Sequence, residues 1–139
     1  MSRPVKFLLD TNIISEPQKP HPDPRTMSLL QDNEGLISTA SVVWHELVYG
    51  VERLPEGRRK AGLWSYLQEV IAPTIPLLPY DAVAATWHAR TRATLAAKGI
   101  TPPFVDGQIA AIAAVNGLVL VTRNERDFHV FEGIRVVRW

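Results

Sequence analysis

The sequence of 139 residues predicts an α/β fold of three layers, with a central, mostly parallel sheet. Three observations carry that prediction. Short, continuously apolar runs recur along the chain, as in strands covered on both faces. Segments with apolar residues at the helical period lie between them. Proline and glycine clusters punctuate the junctions. Strands alternating with helices in this way build parallel β-α-β units.

The first apolar run covers residues 5–9 and ends in Asp10-Thr11-Asn12, residues that favour turns and helix caps. Ile13-Ile14 begins a short helical piece that stops before Pro17. Prolines at 17, 20, 22 and 24 make the next stretch a loop. Residues 24–33 read as a short helix with Asp23 as its cap, and Gly35 breaks the pattern. A second strand is expected over 36–39. Ser41 is then expected to cap a helix carrying Val42, Val43, Leu47, Val48, Val51 and Leu54 near the helical period. Pro55-Glu56-Gly57 ends it, and residues 58–71 form a second amphipathic helix. Trp64 and Tyr66 are not both needed for that helix's apolar stripe, so either both pack in the core or one faces a partner.

Pro73 and Pro76 bracket a break, and residues 75–78 read as a short buried strand. Residues 81–98 are alanine-rich and helical, closed by Gly99. After Pro102-Pro103, a further helix runs over 104–116 to Gly117. Leu118-Val119-Leu120-Val121 is the clearest strand of the chain. Residues 122–128 form a turn and short helix, and 134–137 a last strand.

Composition bounds the function. With 46% hydrophobic and 21% charged residues, the chain is expected to form one folded domain over residues 1–139, not a disordered or low-complexity segment. There is no cysteine, hence no disulfide, thiolate metal site or cysteine nucleophile. The apolar run at 7–9 is too short for a signal-peptide core, and nothing approaches the roughly 20 apolar residues of a membrane span. A soluble cytoplasmic protein is expected. Charge is balanced, 15 Lys and Arg against 14 Asp and Glu. Nucleic acid would therefore have to be bound by a local basic patch, not by a bulk positive field.

In open parallel sheets the functional crevice lies beyond the carboxyl ends of the strands. Asp10 follows the first strand, Glu46 lies on the helix after the second, and Asp106 opens the helix before the clearest strand, which Asp127 follows. Each has an ordinary structural explanation: Asp10 as a turn cap, Glu46 at the edge of an apolar stripe, Asp106 at a helix N-terminus, Asp127 in a solvated turn. Taken together, Asp10, Glu46 and Asp106 come from separate elements that this topology brings to one end of one sheet. Clustered carboxylates raise each other's pKa, and a divalent cation removes that penalty. Oxygen ligands without cysteine or a histidine cluster select Mg²⁺ or Mn²⁺. Such an ion activates water for phosphodiester hydrolysis. His21, His45, His88 and His129 are scattered without ligand spacing.

Four blocks carry a family resemblance: residues 5–16 (VKFLLDTNIISE), 41–51 (SVVWHELVYGV), 104–113 (FVDGQIAAIA) and 118–128 (LVLVTRNERDF). Together they resemble PIN-domain ribonucleases, especially VapC-type toxins of bacterial toxin–antitoxin modules. The resemblance implies a PIN-like fold and Mg²⁺- or Mn²⁺-dependent endonucleolytic cleavage of RNA in the cytoplasm. It also implies a homodimer silenced by a cognate VapB-type antitoxin. It puts the metal ligands on Asp10, Asp106 and Glu46. Many PIN nucleases have aspartate where this chain has Asn124, so either Asn124 or Asp127 fills the fourth acidic position. Thr11, Asn12, Thr122 and Asn124 are then candidates to orient the carboxylates and their waters. Arg90, Arg92 and Lys98 on one helix, with Arg123 and Arg126 after the strand, are candidate RNA phosphate contacts or simply a solvated face.

Other readings fit less well. A dehalogenase-type phosphotransferase wants a second acid two residues after Asp10, where Asn12 stands. A receiver domain wants a phosphorylated aspartate after a later strand, but residues 75–78 lead into Pro79-Tyr80-Asp81. The alternatives kept open are a PIN-fold binding module without catalysis and a PIN nuclease acting on another nucleic acid.

Overall fold

The computed structural model describes residues 4–139; residues 1–3 of the expected domain lie outside the described residues. Strands β1 (Phe7–Leu9), β2 (Ile37–Ala40), β3 (Leu77–Leu78), β4 (Val119–Val121) and β5 (Arg135–Val137) form one sheet in the order β3-β2-β1-β4-β5. All four pairings are parallel. The central strand β1 sets Leu9 opposite Thr39 on one side and Val121 on the other. Leu8 and Leu9, whose side chains point to opposite faces, are both fully buried. Both faces of the sheet are therefore covered, which makes the three layers.

Helices α1 (Thr11–Ile14), α2 (Pro24–Asp32), α3 (Ser41–Glu52), α4 (Arg58–Ser65), α5 (Ala72–Thr74), α6 (Ala82–Ala97), α7 (Phe104–Val115) and α8 (Glu125–Phe128) connect the strands. Helix α7 is buried along most of its length, with Ile109 to Ala113 almost without exposure, and it packs mainly on α6. Its apolar composition is thus a core signature. Fully buried side chains such as Ile109 and Ile112 each contribute about 1.5–3 kcal/mol of burial free energy.

Two expected details differ. Helix α3 is capped by the backbone of Ala40 without a side-chain bond; the Ser41 hydroxyl instead accepts from the Tyr80 N–H at 3.3 Å and ties α3 to the segment after β3. The helix expected over 58–71 is regular only to Ser65, and Tyr66–Ile71 winds into a wider π turn. Pro73 lies just beyond, has no N–H to donate and crowds the carbonyl one turn back, so the wider turn accommodates it. Tyr66 turns inward and its hydroxyl donates to the Ile14 carbonyl at 2.9 Å, while Trp64 stays 36% exposed.

Sheet order reverses at β1, with β2 and β3 added on one side and β4 and β5 on the other. That switch leaves a crevice beyond the carboxyl ends of β1 and β4. Asp10 and Thr122 are the residues that leave those two strands.

Candidate active site

Asp10 is held from three sides. Its N–H donates to the Val121 carbonyl at 2.9 Å, Oδ1 accepts from the Thr11 N–H at 2.8 Å, and Oδ2 accepts from the Thr122 hydroxyl at 2.8 Å. It is both the cap of α1 and a fixed carboxylate, 7% exposed, at the sheet edge. Burial raises its pKa; the Thr122 and Thr11 hydrogen bonds oppose that, and the Asp127 charge adds to it, leaving the group above its ordinary value.

Glu46 is exposed on α3 and does not sit on the buried face, and its Oε2 accepts from the Thr11 hydroxyl at 3.0 Å. Thr11 therefore touches two of the acids, one through its backbone and one through its side chain. Asp106, half-buried in the first turn of α7, is pushed up to about 6. Burial is the largest cause, followed by the charges of Asp10, Asp127 and Glu46. The fold thus brings all four expected carboxylates within electrostatic reach of one another. Among the described residues, no three Asp, Glu or His side chains already close on a single point as a metal cage. Four oxygen-donor groups that repel one another suit a hard divalent cation, which stabilises the charged forms they otherwise resist.

The expected supporting residues separate. The Thr122 hydroxyl donates to Asp10 and accepts from the Asn124 N–H at 3.0 Å, and the Asn12 Oδ1 accepts from the Arg123 N–H at 3.3 Å. Asn124 is exposed, and its side chain does not cap α8. Asp127 on α8 acts on both Asp10 and Asp106 through its charge. Of the two candidates for the fourth acidic position, it is the one that adds negative potential there.

The candidate phosphate contacts separate as well. Arg123 is turned inward: it pairs with the buried Glu16 and donates to the Thr26 hydroxyl at 2.6 Å. That pairing engages the Arg123 guanidinium, whose side chain keeps 19% exposure. Burial pushes the Glu16 carboxyl up, but hydrogen bonds and charge from Arg123 and Lys19 outweigh it and hold the group below its usual value. Arg92 lies over the Phe104 ring, 5.2 Å from its centroid. Arg90 and Lys98 line a cleft of about 430 Å³ together with His129. Arg126 shares a cleft with Asp127 and Arg138.

Two features are absent from the sequence reading. Glu16, Arg123 and Thr26 form a polar brace that also reaches the chain end, where the Thr26 hydroxyl donates to the Trp139 carbonyl at 3.2 Å. Below Asp106, His88 is 4% exposed, pairs through Nδ1 with the Tyr80 hydroxyl at 2.8 Å and presses against the backbone of Gly107. A glycine inside an otherwise strong helical run was the available signal for that close approach.

Residues 7–133 match the family model described as "PIN domain". The chain is 36% identical over 139 residues to the tRNA(fMet)-specific endonuclease VapC of Shigella flexneri, covering 97% of this chain and 98% of that protein. Among solved structures, FitAcB from Neisseria gonorrhoeae superposes with a TM-score of 0.84 at 31% identity, over 94% of this chain and 95% of the other. DNA-bound VapBC from Salmonella typhimurium gives 0.82 at 32% identity, over 97% and 98%. The chain belongs to the PIN-domain family, among its VapC-type members. Among the described residues no helix is long and apolar enough to cross a membrane.

Proposed function

We propose that this chain is the toxin of a type II toxin–antitoxin module, a metal-dependent endoribonuclease acting as a single PIN domain in the cytoplasm. One observation carries the reading: Asp10, Glu46, Asp106 and Asp127, from four separate segments, lie within electrostatic reach of one another, and the charges of the other three add to burial in raising Asp106 to about 6. Asp10, Asp106 and Glu46 would hold the cation, Mg²⁺ or Mn²⁺, and Asp127 would supply the fourth negative charge. When bound, the ion supplies positive charge for the phosphate oxygens and lowers the cost of ionising water.

The chain's own groups do the rest. Thr11 and Thr122 fix both oxygens of Asp10, so its remaining lone pairs point in set directions. The Thr11 hydroxyl orients Glu46 toward the same place. A carboxylate of this group holds a water in line with the scissile phosphorus–oxygen bond and takes its proton as attack proceeds. Arg126, beside Asp127, and Arg90 with Lys98 farther out, hold flanking phosphates without reading sequence.

The protein acts as a homodimer and is silenced by a VapB-type antitoxin. The similarity to a tRNA-specific endonuclease and to antitoxin-bound complexes supports both the RNA substrate and the antitoxin. The test is incubation of antitoxin-free protein with total cellular RNA and with a purified tRNA pool, in Mg²⁺, Mn²⁺ or EDTA, beside Asp106→Asn. Discrete products that need the ion and vanish in the variant are expected. No cleavage by folded protein with either ion would overturn the proposal.

A further inference from the structure

A cleft of about 580 Å³ opens between α3 and α7 beside the carboxylates. Helix α3 contributes His45, Glu46 and Tyr49 to its walls, and α7 contributes Val105 and Gln108. Glu46 therefore belongs both to the carboxylate group and to the cleft. Tyr49 is 59% exposed and takes no part in the core. Its ring is nonetheless held: it lies nearly parallel to His45, at 16° and 6.4 Å between centroids, and the Arg53 guanidinium sits 5.5 Å from its centroid. At 6.4 Å the His45 ring is offset and not in face-to-face contact, so with Arg53 backing the ring the Tyr49 side chain can still serve as a stacking platform. Across from it, Val105 offers an apolar wall and Gln108 a carboxamide that both donates and accepts.

We propose that this cleft is the subsite for an unpaired nucleobase adjacent to the cleaved phosphate, stacked on Tyr49 and read at its edge by Gln108. The proposal rests on the endoribonuclease reading. A flat π face, apolar flanks and one two-way hydrogen-bonding group are what a single-stranded base requires. Because Glu46 lines the cleft and belongs to the carboxylate group, a base held there lies beside those acids. The Glu46 carboxylate in the wall disfavours a phosphate as occupant, and duplex RNA does not expose its base faces.

The test uses the full chain and single-stranded oligoribonucleotides that differ only in the base flanking the cleavage site. Tyr49→Ala should raise KM about 5- to 150-fold while kcat changes little, the loss expected for one base–aromatic stack, and Tyr49→Phe should restore it. Gln108→Ala should flatten the preference among the four flanking bases. In Asp106→Asn protein, 2-aminopurine at the flanking position should be quenched on binding, and Tyr49→Ala added to that variant should remove the quenching. Wild-type KM and base preference in both single variants would overturn the subsite. A change in molar mass by light scattering for Tyr49→Ala would overturn it too, by giving the shelf to a protein partner. If wild-type protein neither cleaves nor binds any of these RNAs, the endoribonuclease reading itself has failed, and the subsite with it.

Discussion

Replacing Gly107 with alanine puts a methyl group where His88 already sits. The added Cβ would lie 2.1 Å from His88 Nε2 and 2.7 Å from its Cδ2. Ordinary contact is about 3.5 Å, so ring and helix must part by roughly 1.4 Å. The imidazole has little freedom to give way, because it is buried, paired with the Tyr80 hydroxyl and packed 4.8 Å from the centre of the Phe104 ring. Alanine gains about 1 kcal/mol in helix propensity, while overpacking costs about 1–3 kcal/mol. With an overlap of roughly 1.4 Å against a fixed ring the cost lies at the upper end, about 3 kcal/mol, so a net loss of about 2 kcal/mol is expected, read as a fall in Tm of roughly 4–8 °C. Asp106 is the preceding residue, and a displacement near 1 Å at a reacting group costs about 100-fold in rate. Thermal denaturation and single-turnover cleavage measure the two effects. His88→Ala removes the obstruction, so the double variant should lose at least about 1 kcal/mol less than the two single losses added together. Wild-type behaviour of Gly107→Ala, or simple additivity in the cycle, would refute the argument.

Three further outcomes follow from the site. In EDTA, the raised Asp106 pKa costs stability above pH 6 and nothing below about pH 4, because the folded carboxyl binds more protons than the unfolded one between those values. The shift corresponds to about 3 kcal/mol at 1.36 kcal/mol per unit, cut to about 1 kcal/mol because the group is half-exposed. Asp106→Asn should therefore be more stable than wild type at pH 7.5, equal to it near pH 4, and far less stabilised by millimolar Mg²⁺, all read by Tm. Thr122→Val removes the donor to Asp10 and should raise the Mg²⁺ concentration needed for half-maximal stabilisation about 10-fold, measured by titration. Arg123→Ala should lower Tm more than Arg126→Ala by stranding Glu16, whereas Arg126→Ala should reduce the salt slope of RNA binding by about 1.

The fold was legible because each strand is a short apolar run closed by an abrupt polar residue. Leu8-Leu9-Asp10 and Leu120-Val121-Thr122 announce both the buried strand and the place where it surfaces. Asp10 follows from the same rule, since a parallel sheet collects the residues after its strands at one edge, whereas Glu46 and Asp106 ride on the adjoining helices. What escaped depends on side-chain direction. Arg123 looks like its exposed neighbour Arg126 in sequence, yet one residue along a turn faces inward to Glu16 and the other outward. Glu46 sits amid apolar residues, and helical phase alone does not say which side of so short a stripe is wet. The π turn before Pro73 and the fit of His88 against Gly107 are packing solutions between segments, and local patterning does not encode them.

The central position of β1 has a consequence for the order in which the molecule is made. Asp10 leaves the ribosome more than a hundred residues before β4, which flanks β1, and Thr122, which holds Asp10 Oδ2. Until β4 emerges, β1 lacks its partner on that side and Asp10 lacks the threonine that holds it. Prematurely terminated fragments that stop before β4 lack the partner strand as well as the threonine. Completion of the sheet thus acts as a timing device: the carboxylate group is assembled only once β4 and α8 have been produced.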